Sequence, residues 1–184
     1  MSVSRLLDKT YYYKNNAEFL IPFIEGNKLL SIGCGDGTAE SLIMEKTNCK
    51  VTGLEVTEYN ETKIPTMLFD GTNVPFIKRE FDYTMFVYSL HHTGNKNDIR
   101  KLLLEAKRVS KKGILILDHA YENVFDRAII SAWDYFSNKL KNHKMKITFN
   151  FLKEKEWLDL FKKLNLKVEM KAYPFSSIFF RLLV

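Results

Sequence analysis

The stretch Leu29-Leu30-Ser31-Ile32-Gly33-Cys34-Gly35-Asp36-Gly37-Thr38 decides the fold of this 184-residue chain. Lys28 to Ile32 reads as a buried strand and Ala39 to Glu45 as a helix, so the glycines fall at a strand-to-helix turn. Glycine lets the backbone turn sharply and lets a ligand approach the main chain with no Cβ in the way. Open α/β sheets bind ligands at the carboxyl ends of their strands, where this turn would sit. A nicotinamide or flavin fingerprint would place its third glycine at position 38, which is Thr38 here. The Walker-type phosphate loop is absent, which excludes that route to phosphoryl transfer.

Outward from the loop, short apolar runs alternate with amphipathic stretches. Val51 to Leu54 reads as a second strand, closed by Glu55, an acid placed where it can accept hydrogen bonds from both hydroxyls of a ribose. Thr66 to Phe69 and Tyr83 to Tyr88 follow as strands, and Ile114 to Leu117 as the centre of a parallel sheet. Ile99, Leu102, Leu103, Ala106 and Val109 share one helical face. Phe125, Ala128, Ile129, Ala132, Trp133, Phe136 and Leu140 make a broader apolar face on a longer helix, expected to pack on the core. Trp157, Leu158, Phe161 and Leu164 mark another helix. Lys167 to Tyr173 and Ile178 to Val184 are separated by only four residues, which permits an antiparallel hairpin but not a helical crossover.

Composition narrows the functional classes. At 46% hydrophobic residues the chain can build one well-buried core. Two cysteines, Cys34 and Cys49, cannot make a disulfide framework, and no C-x-x-C pair suggests zinc. No apolar leader or run long enough to span a bilayer occurs, so a cytoplasmic protein with no membrane span is expected. The net charge of +6 is unevenly spread. Residues 1–99 hold 10 basic and 13 acidic residues, while 100–184 hold 18 and 9. A basic second half suits an anionic acceptor. The lysines around His143 lack the aromatic interleaving of a nucleic-acid groove, which argues against nucleic acid as a partner.

Taken in order, these motifs resemble a class I S-adenosylmethionine-dependent methyltransferase of the small-molecule (methyltransferase type 11-like) kind. Leu29 to Gly37 resembles the cofactor loop and Val51-Thr52-Gly53-Leu54-Glu55-Val56 the ribose strand. Phe69-Asp70-Gly71-Thr72-Asn73-Val74-Pro75-Phe76 resembles the motif whose aspartate faces the adenine amino group. Phe81-Asp82-Tyr83 into Leu90-His91-His92-Thr93 resembles the fourth strand and its active-site loop, and Lys111 to Leu117 the fifth. The resemblance implies a Rossmann-like, mostly parallel seven-stranded α/β sheet with helices on both faces and a C-terminal antiparallel hairpin. It implies one domain over 1–184, with a short N-terminal cap over 1–26 and the core over 27–184. S-adenosylmethionine would be held by Ser31, Gly33, Cys34, Gly35, Asp36, Gly37, Glu55, Val56, Asp70, Gly71 and Tyr88, with S-adenosylhomocysteine as product.

Two departures from the family pattern stand out. An acidic residue usually occupies the place of Ser31. Only Val56 to Ile64 separates the second and third strands, room for one or two helical turns where the family has a full helix. An open cofactor edge follows, to be covered by a second copy or by a partner subunit.

Methyl transfer from a sulfonium depends chiefly on alignment, with a general base where the acceptor must lose a proton. His92, His119 and His91 are the candidates, at the ends of the fourth and fifth strands beside Asp118. Tyr11, Tyr12 and Tyr13 are candidates for a substrate lid. No metal motif is read from the sequence: the adjacent histidines lack i, i+4 spacing and no HExxH occurs. The Asn/Asp-Pro-Pro-aromatic motif of amino methyltransferases is replaced by Tyr88-Ser89-Leu90-His91. The expected activity is therefore methyl transfer to a small, anionic acceptor, at oxygen rather than nitrogen. The alternatives are a cofactor-binding but silent subunit that needs a partner, and methylation of RNA or protein.

Overall fold

The computed structural model describes residues 9–59, 62–141, 147–174 and 177–184. Seven strands form one sheet: β1 (Lys28–Ile32), β2 (Lys50–Glu55), β3 (Thr66–Leu68), β4 (Phe81–Val87), β5 (Ser110–Asp118), β6 (Lys167–Ala172) and β7 (Ile178–Leu183). Their order is β3-β2-β1-β4-β5-β7-β6. The first five are parallel, and β7 runs antiparallel to both β5 and β6. The chain builds outward from β1 to β3, then returns to lay β4 on the other side of β1. That reversal opens a crevice at the carboxyl ends of β1 and β4, where α/β sheets take their ligands.

Side chains alternate across the sheet with period two, so each strand feeds two cores. Leu30, Ile32, Phe86, Ile114, Ile116, Phe180 and Leu182 pack on one face against α3 (Lys96–Val109) and α5 (Glu154–Lys163), through Ile99, Leu103, Trp157 and Phe161. Leu29, Val51, Tyr83, Met85, Leu115 and Phe179 pack on the other, against Ala17 and Leu20 of α1 (Lys9–Leu20) and Ile43 of α2 (Thr38–Lys46). Helix α3 begins where the Asn95 side chain accepts a hydrogen bond from the Asn97 amide at 2.8 Å, satisfying a donor the helix leaves open. No helix among the described residues is long and apolar enough to cross a membrane.

Two expectations are corrected. The described residues of the link from β2 to β3 contain no helical turn. The link is instead laid along the glycine loop, with the Lys63 amide donating to the Asp36 carbonyl at 2.8 Å. Without a covering helix, Val56, Met67 and Leu68 are exposed at this edge.

The second correction concerns α4 (Val124–Lys141). Its apolar stripe does not face the core: Phe125 is 78% exposed, Ile129 69% and Phe136 62%, and Trp133 is exposed with them. Asp134 is buried instead, with Ser131, Ser137 and Asn138 half-buried beside it. The helix is inverted, polar side in. Periodicity finds a stripe but not the surface it meets. The side chain of Leu140, expected on the same stripe, lies outside the described residues. So do those of Tyr11 and Tyr12, the lid candidates.

The inversion has a direct check in urea unfolding. Phe125→Gln with Phe136→Gln should change stability by no more than about 0.5 kcal/mol, as for exposed sites. Trp157→Ala, inside the core, should cost about 3–5 kcal/mol. A loss of several kcal/mol from the α4 pair would put its stripe back in the interior.

Candidate active site

The turn after β1 is held from both sides. The amides of Gly33 and Cys34 donate to the Leu54 carbonyl at 2.8 and 3.3 Å, tying the turn to β2. Gly33 has φ +76°, and a Cβ there would meet Ser89 Cβ at 2.5 Å, so protein fills that space. Gly35 differs. At φ +58° its nearest neighbour would be the Tyr59 hydroxyl at 3.8 Å, which leaves the backbone open to a ligand. The Asp36 carboxylate accepts from the Thr38 amide at 3.0 Å and starts α2. Burial pushes the Cys34 thiol up to about 12, which makes it a packing residue and not a nucleophile.

Glu55 ends β2 with its carboxylate turned into the loop. Oε2 accepts from the Gly35 amide and Oε1 from the Val56 amide, both at 2.8 Å. Burial raises its pKa while these amides hold it down. The acid expected to bind ribose is therefore already fixed beside the open glycine. Asp70 is fully exposed, and its Oδ1 accepts from the amides of Thr72 and Asn73 at 2.8 and 2.7 Å. Those bonds hold its carboxyl far below the usual carboxylate range and build the turn through Gly71.

The vacancy at Ser31 is answered from α2. Glu40, buried, accepts from the Ser31 hydroxyl at 2.7 Å. Burial pushes its pKa up to about 7, against the Ser31 bond, with Asp36 and Glu55 raising it further. Tyr13 of α1 lies in the same group; burial raises its pKa, and so do Asp36, Tyr59 and Glu40. One turn on, Asn16 is 1% exposed with neither amide atom partnered among the described residues. Sequence reasoning missed Glu40, although its place three residues before the core residue Ile43 puts both on one helical face.

The histidines gather at the opposite side of the crevice. His91 and His92 form a 3₁₀ turn after β4, and His119 follows β5. His91 Nδ1 donates to Asp118 Oδ1 at 2.5 Å, and Nε2 lies 3.3 Å from Asp134 Oδ1. Burial opposes its charge, but the two carboxylates prevail and push its pKa up to about 9. Protonated and engaged through both nitrogens, His91 is a staple between β5 and α4 and not a base. Burial, with the charge on His91, pushes His92 down to about 3 and His119 to about 4, so both are neutral. The His119 ring lies 4.8 Å from the Tyr88 ring, tilted by 42°, and the Tyr88 hydroxyl hydrogen-bonds Ser177 at 2.9 Å. Phe151 roofs His91 at 4.9 Å. Asp134 and Asn138, whose amide donates to the Asp134 carboxylate at 2.7 Å, were missed in the sequence. Their signal was a carboxylate set between Trp133 and Tyr135 in the middle of the helix.

The raised pKa of Glu40 fixes a pH dependence. Between the ordinary value of 4.5 and about 7 the folded chain holds a proton on Glu40 that the unfolded chain has released. Stability from this group is complete below the lower value and is lost as pH rises through the upper one, by up to about 3 kcal/mol. The groups facing it are Ser31, Cys34, Asp36, Glu55 and Tyr13. In urea unfolding without cofactor, Glu40→Gln should be more stable than wild type at pH 8 and lose the advantage at pH 5. An identical pH dependence in both would contradict this.

A family model described as a methyltransferase domain matches residues 7–171. No curated protein matches the chain in sequence. Among solved structures, the chain is similar to one in the complex of the Haloferax volcanii Trm112 methyltransferase activator with a methyltransferase, at 14% identity and TM-score 0.72, covering 96% of this chain and 90% of that one. It is similar to an S-adenosylmethionine-dependent methyltransferase from Aquifex aeolicus, at 14% identity and TM-score 0.65, covering 98% and 95%. It is also similar to the magnesium protoporphyrin IX methyltransferase of Synechocystis with bound S-adenosylhomocysteine, at 10% identity and TM-score 0.67, covering 95% and 82%. At these identities the likeness establishes the fold. The open backbone at Gly35, the carboxylate of Glu55 beside it and the unpartnered amide of Asn16 suit a nucleoside that carries an amino acid. With the family match over most of its length, the chain belongs to the methyltransferase domain family, as a class I enzyme whose methyl donor is S-adenosylmethionine.

Proposed function

We propose that the chain methylates a small, anionic acceptor at oxygen. The observation that carries this reading is His119, a neutral imidazole at the carboxyl end of β5 whose Nδ1 has no hydrogen-bond partner among the described residues. When bound, the cofactor supplies a methyl group already activated on its sulfonium. Glu55 and the Gly35 backbone would hold the nucleoside, with Val56 and the Asp70–Gly71 turn on the adenine side. Glu40, Asn16 and Ser31 would lie toward the amino-acid end, and Tyr88 at the crevice mouth beside His119. The imidazole of His119 would accept a hydrogen bond from the acceptor hydroxyl and take its proton as the methyl arrives. Its low pKa leaves His119 unprotonated and able to accept that hydrogen bond, as a weaker base than an imidazole titrating near neutrality. Lysines of the second half supply the field that draws an anion.

Two measurements test this. Calorimetric titration with S-adenosylhomocysteine should show binding that Glu55→Ala weakens by about 10–100-fold, the cost of losing hydrogen bonds to a charged group. Equal affinity in both would remove Glu55 from the site. His119→Gln should lower kcat toward hydroxyl acceptors by about 100-fold with cofactor affinity unchanged. Full activity in that variant would refute the assignment.

A second reading is favoured by what the fold leaves bare. Val56, Met67 and Leu68 are exposed at the β3 edge, and Phe125, Ile129, Trp133 and Phe136 on α4. The Haloferax relative is bound to an activator subunit. On this reading the chain binds cofactor alone but turns over only when a partner or second copy covers these surfaces. Turnover that appears only on adding a second protein favours it over the first reading.

A further inference from the structure

Among the described residues, one group of histidine, cysteine and acidic side chains converges as metal ligands do. It comprises His91, His92 and Asp134, whose donor atoms lie within 4.8 Å of one another. We propose that these three residues bind one divalent transition ion, of the zinc type, which fastens α4 over the crevice. The inference concerns the roof of the site and is independent of which acceptor is methylated.

The donor atoms are spaced as metal ligands are, within a network where the Asn138 amide also donates to Asp134 Oδ1 at 2.7 Å. His91 Nε2 and His92 Nε2 lie 3.3 and 3.5 Å from Asp134 Oδ1. Ligands at about 2.0–2.1 Å from a tetrahedral zinc are separated by roughly 3.3–3.4 Å, so two edges of the polyhedron are already set. His91 is oriented for ligation, because Nδ1 donates to the buried Asp118 carboxylate and Nε2 faces Asp134, where it would release its proton as the ion binds. A histidine so held by a carboxylate is the usual outer support of a metal-bound imidazole. Two imidazoles and one carboxylate suit zinc, cobalt, nickel or ferrous iron over magnesium or calcium, which take oxygen ligands.

Unpaired atoms point the same way. Asp134 is 5% exposed, and its Oδ2 has no partner among the described residues. Asp118 Oδ2, His92 Nδ1 and His119 Nδ1 are likewise buried without partners. Buried polar atoms are nearly always satisfied, so the orphan Asp134 Oδ2 leaves a proposed ligand side chain with coordinating capacity to spare. Two buried carboxylates, Asp118 and Asp134, also match the charge of a dication. The inverted helix then has a cause: α4 turns its polar side inward to deliver Asp134. No sequence motif announced the site because the third ligand lies 43 positions from His91, on a different element.

The test is a calorimetric titration of chelator-treated, dialysed protein with Zn²⁺, repeated with Co²⁺ and read by visible absorption. One ion per chain at micromolar affinity or tighter is expected, with the intense ligand-field bands of low-coordinate Co²⁺. His92→Ala and Asp134→Asn should each weaken binding by about 100-fold or more. Asp118→Asn, which touches only the outer support, should weaken it by about 10–100-fold. Wild-type protein that takes up no stoichiometric ion overturns the proposal whether or not any variant folds. So does an affinity that survives both ligand substitutions.

Discussion

The structure depends on one constraint: the chain must leave β1 and enter α2 without filling the crevice it creates. Gly33, Gly35 and Gly37 all adopt positive φ, which residues bearing a Cβ rarely do. They are not equivalent. A Cβ at Gly33 or Gly37 would strike Ser89 or Ile64, whereas one at Gly35 would meet only the Tyr59 ring in ordinary contact. Two glycines therefore serve packing, and the middle one is the glycine proposed to meet the ligand. Glu55 completes the arrangement, since its bond to the Gly35 amide joins β2 to the middle of the turn.

Across the crevice, order is imposed by charge. His91 sits between Asp118 of β5 and Asp134 of α4, so a helix with little apolar contact to the core is held by a buried polar group. Buried polar networks of this kind fix one arrangement at the cost of desolvation. The segment after α4 adds to the hold: the Asn150 amide donates to the His91 carbonyl at 3.0 Å, and Phe151 covers the ring. The outward apolar stripe is the other consequence. Once Asp134 points in, Phe125, Ile129, Trp133 and Phe136 must point out. The same residues that build the roof thus create a surface suited to another molecule.

The sheet was largely legible because buried parallel strands read as unbroken apolar runs, and the four residues between Tyr173 and Ile178 leave no room for a crossover. The glycine loop and Glu55 were legible because their spacing reflects backbone geometry. What stayed hidden depends on tertiary approach. Glu40 substitutes for an acid expected at position 31, but only the packing of α2 on the sheet brings it to Ser31. Tyr59 comes to Gly35 because its link has no helix, a local outcome that apolar periodicity does not encode. The three histidines looked alike in sequence. Their environments separate them into a charged staple and two neutral rings.

The central claim is that the open backbone at Gly35 and the carboxylate of Glu55 form the nucleoside site. A crystal structure of the chain with S-adenosylhomocysteine tests it most directly. The account expects the ribose hydroxyls on Glu55, the nucleoside against Gly35, and the amino-acid end toward Glu40 and Asn16. A nucleoside bound elsewhere, with Glu55 untouched and Gly35 still bare, would contradict it.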